Sequence, residues 1–277
     1  MINIDNDKKN SDISLILVTK YSSGALALCL DSYCRNSVLN HELIVIADNP
    51  SWQVLKILQE RKLNYQIVHT GHFFRNCNIG VEKSTRKYVG FVNDDIVFGP
   101  SWDLSLQNCI ETHTNTLISS NLLTLDNGFS FGYKGDRNIN SFDILSFEEF
   151  AIKSLDRKDF ESFFLMPLLI PTTIFKKYGG FPTFNSHGHG HEMNLENIIK
   201  NKERISVATV MSSTLFHFGS IGNTDNLDLK YCSYTYGFFK CSVCGKEEEG
   251  VFNDIDSGSE IDKLRNGEPW ICFSCRK

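Results

Sequence analysis

Two adjacent carboxylates follow an apolar run at Phe91-Val92-Asn93-Asp94-Asp95-Ile96-Val97. An acidic pair at the end of a buried strand suits Mg²⁺ or Mn²⁺, which bind carboxylate oxygens. A cation held there can neutralise a diphosphate and help it depart. The same tripeptide also occurs in ordinary solvated turns, so alone it decides nothing. A second acid, Glu192 in His191-Glu192-Met193-Asn194-Leu195, stands where a helix would open. Such a carboxylate can take a proton from a hydroxyl nucleophile, or it can simply complement the helix N-terminus. His217, between Phe216 and Phe218, reads by itself as a satisfied core residue. In His187-Gly188-His189-Gly190-His191 three imidazoles alternate with glycine. This stretch is read as a loop closing beside Glu192 in preference to a transition-metal site.

The nine cysteines divide into two sets. Cys29, Cys34, Cys77, Cys109 and Cys232 are scattered, as buried filler is in a reducing compartment. Cys241-x-x-Cys244 and Cys272-x-x-Cys275 form two tight pairs, the four-sulfur pattern of structural zinc. The interval between the pairs, residues 245 to 271, exceeds the usual ribbon spacing and calls for a longer hairpin. Disulfides are the alternative.

These residues need elements to position them. Ile13–Val18, Leu43–Ala47, Tyr65–His69 and Tyr88–Val92 are apolar runs of strand length. Ser23–Cys34, Trp52–Lys62 and Asn76–Lys83 carry helical spacing between them. The alternation predicts βαβ units and a mainly parallel sheet covered on both faces. In such sheets ligands bind beyond the carboxyl ends of the strands, which selects Thr19, Asp48 and Asn93–Asp95. From about Thr112 to Ser162 the periodicity weakens, and the stretch reads as an irregular, substrate-choosing region. Phe163–Ile170 has the length of a strand or short helix; a helix over Glu192–Asn201 and a strand over Ile205–Val210 follow. The polar stretch after Ile221 marks the exit from the first domain.

With these motifs in order, residues 11 to 220 resemble the GT-A fold glycosyltransferases of the family-two type. Val18-Thr19-Lys20-Tyr21 matches the turn after the first strand, and Asp48-Asn49-Pro50-Ser51 the base-contacting Asp and its turn. Asn78-Ile79-Gly80 matches the helix before the acidic strand, and Tyr178-Gly179-Gly180-Phe181 the Gly-Gly-Phe turn. The family's acidic motif is usually Asp-x-Asp; Asn93 stands at its first position, and Asp95 at the metal-binding one. The resemblance implies donor contacts by Thr19, Asp48, Asn78, Asn93 and Asp94. It further implies Mn²⁺ or Mg²⁺ held by Asp95 and His217, and Glu192 as the catalytic base of an inverting transfer. His191 departs from the family's usual acid.

The expected organisation is therefore an α/β, Rossmann-like GT-A domain over residues 1–232 and a small zinc ribbon over 233–277. The donor expected is a nucleotide-sugar, UDP-sugar foremost. A saccharide acceptor is favoured over a hydroxylated DNA base, because the chain of 277 residues carries a net charge of −5. Phosphate binding depends on Lys and Arg. From Cys241 onward, Lys246, Lys263, Arg265, Arg276 and Lys277 face eight acids, so a protein partner fits the ribbon better than nucleic acid. Hydrophobic content of 41% supports a globular core. The polar start, Met1 to Asp12, lacks a signal-peptide core, and no apolar run approaches the ~20 residues of a membrane span. A soluble, cytoplasmic protein is expected. The competing reading is a non-catalytic recruitment protein on a decayed transferase fold, favoured by Asn93 and His191.

Overall fold

The computed structural model describes residues 8–20, 22–113, 116–124, 133–135, 138–155, 168–181, 199, 202–203 and 205–219, and the backbone of strands Tyr234–Lys240 and Glu247–Asn253. Among these, eight strands form one sheet and the last two form a separate hairpin.

The sheet grows from β1 (Asn10–Thr19), whose residues Ile13 to Thr19 are all buried. A strand buried on both faces must be apolar at successive positions, not at alternate ones. That is why Ile13–Val18 is a continuous apolar run. β2 (Asn40–Asp48) and β4 (Tyr88–Asn93) pair with β1 in parallel, and β3 (Tyr65–Val68) adds to β2. The connecting helices are α1 (Ser23–Asn36), α2 (Trp52–Glu60) and α3 (Phe73–Lys83). Ser22 and Ser51 cap the first two, each hydroxyl accepting a free N–H of the first turn. Gly80 lets α3 press onto β1: a Cβ there would sit 2.5 Å from Ile16 Cγ2.

The second half of the sheet is mixed. Its remaining strands are β5 (Ile96–Phe98), β6 (Thr116–Thr124), β7 (Leu168–Pro171) and β8 (Ser206–His217). The strand order is β3-β2-β1-β4-β7-β6-β8-β5, with β7 antiparallel to both its neighbours, β5 antiparallel to β8, and β6 parallel to β8. The expectation of a mainly parallel sheet thus holds for β1–β4 and gives way to mixed directions beyond.

Within the region expected to be irregular, Thr112 to Ser162, the described residues form β6, a short 3-10 turn (Ile139–Ser141) and a further helix. β6 reads as polar in its middle, yet Ser119, Ser120 and Asn121 are buried there. Hydroxyl and amide groups across on β8 partner them: Ser119 to Thr209, Ser120 with Ser213, and the Asn121 amide nitrogen to Thr214, while Asn121 Oδ1 is buried without a hydrogen bond. α5 (Ile144–Lys153) is capped by Asp143, which accepts from the Ser146 N–H, and buries Phe147 and Ala151. The helices α4 (Trp102–Thr112) and α6 (Thr172–Lys177) flank the same sheet. β8 continues to His217, well past the expected end at Val210, because the pairing with β6 skips from Val210 to Thr214 and then resumes.

The core has three parts. One joins α1, α2 and α4 to the sheet through residues such as Leu26, Leu58 and Trp102; a second gathers α3 and α6 around Phe91, Phe175 and Phe181; a third packs α5 on Phe216 and Phe218. Cys29, Cys77 and Cys109 are buried as expected of filler thiols, and Cys34 is partly so. None of the helices among the described residues is long and apolar enough to cross a membrane.

Candidate active site

β2, β1 and β4 are neighbours, so their carboxyl ends bring Asp48, Thr19 and Asn93 to one edge of the sheet. The chain then turns through Asp94 and Asp95 into β5. Because β5 pairs with the end of β8, Ile96 lies opposite His217, and the Phe218 N–H donates to the Asp95 carbonyl at 3.1 Å. Strand pairing thus fixes His217 against the acidic turn.

The three members of that turn have separate surroundings. Asp94 accepts the Thr19 hydroxyl at 2.6 Å and the Lys20 N–H at 3.4 Å. Its carboxyl is pushed up to about 7, first by loss of solvent and then by the Asp95 charge beside it. In this state Asp94 braces the first turn against the acidic turn. Asp95 is buried, with its Oδ1 3.2 Å from His217 Nε2 and without the geometry of a hydrogen bond to any group. The Asn93 amide nitrogen lies 3.4 Å from the same His217 Nε2, while its Oδ1 is buried and unbonded. Beneath the turn, the Cys29 thiol donates to the Asn93 carbonyl at 3.8 Å. Burial raises the Cys29 thiol well above its ordinary range, and Asp94 and Asp95 add to the effect.

Asp95 Oδ1 thus faces His217 Nε2 as a buried acceptor without a hydrogen bond, while the Asn93 atom nearest that imidazole is its amide nitrogen. A buried acceptor without a partner is costly, and a cation is one way to satisfy it. The donor types fit Mn²⁺ or Mg²⁺. Among the described residues no three His, Cys, Asp or Glu side chains gather in a metal-holding group.

Asp48 is bound into the fold on both oxygens. Its Oδ1 accepts the Thr70 N–H at 3.0 Å, the Gly71 N–H at 3.2 Å and the Asn49 amide at 2.9 Å; its Oδ2 accepts the Asn76 amide at 3.1 Å. One carboxylate thereby ties the end of β2 to the β3–α3 turn. Asn78 is a clamp of a second kind. Its amide donates to the Phe181 carbonyl and its Oδ1 accepts the Phe181 N–H, both at 2.9 Å. Gly180 passes beneath it at φ +80°, where a Cβ would stand 2.5 Å from Asn78 Oδ1. The Asn-x-Gly and Gly-Gly-Phe motifs, about a hundred residues apart in the chain, are thus two halves of one contact.

Sequence reasoning missed Thr70, Gly71, Asn76 and Cys29. Asn76 had a visible signal, since it lies two residues before Asn78 at the start of the same helix. Glu192, the 187–191 histidines and Cys241, Cys244, Cys272 and Cys275 lie outside the described residues, as does Cys232. Of the expected Glu192–Asn201 helix, Ile199 is described, and it is helical and buried.

The model of the glycosyl transferase family 2 domain matches residues 14–172, from β1 into α6. The chain belongs to this family. The matched span contains Thr19, Asp48, Asn78 and Asn93–Asp95, and stops short of Glu192 and His217. No curated protein matches the chain. Among solved structures it is similar to residues 1–349 of S. aureus TarS, at 14% identity and a TM-score of 0.52 over 74% of this chain and 60% of that one. The same fragment in complex with UDP gives 14%, 0.52, 74% and 59%. A longer TarS structure gives 15% identity and a TM-score of 0.54, covering 74% of this chain and 36% of that one. These likenesses establish a shared fold, and the chain spans about three fifths of the 1–349 fragment.

Proposed function

We propose that this family-two glycosyltransferase is a metal-dependent, inverting enzyme that transfers a sugar from a nucleotide-sugar, UDP-sugar foremost, to a saccharide hydroxyl. The observation that carries the reading is the buried Asp95 Oδ1, unbonded and 3.2 Å from His217 Nε2 at the end of β4 and β8. Asp95 and His217 would hold Mn²⁺ or Mg²⁺. When bound, such a cation offsets the diphosphate charge and favours its departure. A fold likeness to a protein solved with UDP agrees with a uridine donor.

The chain's own residues divide the remaining work. Thr19 and Asp94 fix the first turn against the acidic turn, and Asp48 holds the β3–α3 turn at the base end. Asn78 sets the Gly-Gly-Phe turn on the acceptor side. On the sequence motif, Glu192 takes the proton of the acceptor hydroxyl as its oxygen attacks the anomeric carbon. The bond from that carbon to the diphosphate oxygen breaks on the opposite face, which inverts the configuration. A net charge of −5 agrees with a saccharide acceptor over DNA.

The test is turnover of a panel of nucleotide-sugars with Mn²⁺, with and without simple saccharide acceptors. Asp95→Ala and His217→Ala should each lower kcat/KM at least about a hundredfold, or about 2.7 kcal/mol, with the fold retained. Undiminished turnover by both variants would refute the metal corner. Binding of donor without turnover by the native chain would favour the non-catalytic reading, and neither binding nor turnover would end the transferase proposal.

A further inference from the structure

The residues from 234 onward have no part in the transferase reading. β9 (Tyr234–Lys240) and β10 (Glu247–Asn253) pair only with each other among the described residues. Their antiparallel register runs from Tyr234 opposite Asn253 to Lys240 opposite Glu247. Opposed Cα atoms in such a ladder lie about 4.5–5.5 Å apart. The six-residue connection 241–246, Cys-Ser-Val-Cys-Gly-Lys, therefore has both its ends fixed that closely. Cys241 directly follows the closing pair, and Cys244 belongs to the same short connection. The constraint comes from the two strands, since the cysteines themselves lie outside the described residues.

Among the described residues no third strand pairs with the hairpin. Two strands alone are marginal in water. The central cross-strand pair is Gly237 opposite Gly250, so no side chains can pack there. Glu247, Glu248 and Glu249 place three successive acids on β10. Cys272-x-x-Cys275 supplies a second pair with the same spacing as the first.

We propose that Cys241, Cys244, Cys272 and Cys275 bind one structural Zn²⁺ as four thiolates, and that this ion clamps the hairpin to the C-terminal segment. Each thiol releases its proton on coordination, so no oxidant or reductant is needed. The cation supplies a cross-link to a hairpin whose central pair, Gly237 and Gly250, packs no side chains. None of its four ligands is among the residues assigned to the donor.

The full-length chain, purified without chelator, should contain one zinc per molecule by elemental analysis. Cys241→Ser and Cys272→Ser should each lose it, while Cys34→Ser keeps it. Because the first two variants may be poorly folded, Co²⁺ is exchanged into the native chain as a second probe. It should give thiolate-to-metal charge-transfer and tetrahedral ligand-field bands at one equivalent. Substoichiometric zinc with no such bands, or zinc unchanged in the Cys→Ser variants, would overturn the assignment. So would a mass showing two disulfides in the native chain. None of these readouts uses transferase activity, so a failure here leaves the donor-site proposal standing.

Discussion

Replacing Asp48 tests whether this residue holds the fold before it holds any ligand. Its carboxylate is 2% exposed and accepts four hydrogen bonds. The Asn49 side chain is exposed and can turn to water. The Thr70 and Gly71 N–H groups and the Asn76 amide are not so free. A buried donor left without its acceptor costs about 1–3 kcal/mol. With water entering part of the vacated space, Asp48→Ala should lose about 3–5 kcal/mol, a large share of the 5–15 kcal/mol that typical domains possess. Asp48→Asn keeps one carbonyl oxygen for Thr70 and Gly71 but turns an amide toward the Asn76 amide. It should lose about 1–2 kcal/mol. Urea unfolding with an unchanged m-value measures both, and hydrogen exchange should accelerate at residues 69–76 in the Ala variant. A loss below about 1 kcal/mol for Asp48→Ala, or equal losses for both variants, would refute the bracing role. Under the proposed function, donor affinity measured on Asp48→Asn tests the proposed base contact, whereas Asp48→Ala confounds it with unfolding.

Two further outcomes are expected. Gly180→Ala forces a Cβ to 2.5 Å from Asn78 Oδ1 at φ +80°, and should lose about 2–4 kcal/mol from backbone strain and the broken clamp. In a double-mutant cycle with Asn78→Ala, the second change should cost much less than it does alone, and strict additivity would sink the clamp. His41, stacked on Trp102 at 5.3 Å, is lowered to about 3 by burial, with Lys8 and Arg86 adding to the effect. Asp103, 3.8 Å away, has its carboxylate taken up by the Val38, Leu39 and Leu104 N–H groups. As pH falls below about 6.5 the unfolded chain binds a proton here that the folded chain refuses, so stability is full above that value and lost toward about 3. Between pH 6.5 and 5 the native chain should lose up to about 2 kcal/mol that His41→Phe retains. Parallel stability–pH curves from denaturant titrations would contradict this.

Local pattern was enough for β1 to β4 and the helices between them. Continuous apolar runs made β1, β2 and β4 recognisable, because a central parallel strand is buried on both faces whatever its neighbours are. The strand-end rule then selected Thr19, Asp48 and Asn93–Asp95, all of which stand at one sheet edge. Seryl caps at Ser22 and Ser51 are equally local events. β6 could not be recognised this way. Ser119, Ser120 and Asn121 look like loop residues until β8 supplies Thr209, Ser213 and Thr214 as partners. Polar burial becomes affordable only through contacts about ninety residues away.

The acidic turn shows the same division. Its residue types and its position after a strand were evident in the chain, and they determined what chemistry it could support. Tertiary structure decided how the three residues differ. It gave Asp94 to Thr19 as a brace and left Asp95 Oδ1 without a hydrogen bond. Through the β5–β8 pairing it also set His217 within 3.2 Å of that oxygen. A side chain's type is a local property, but its charge state and its unfilled hydrogen bonds depend on which distant strand the sheet places beside it.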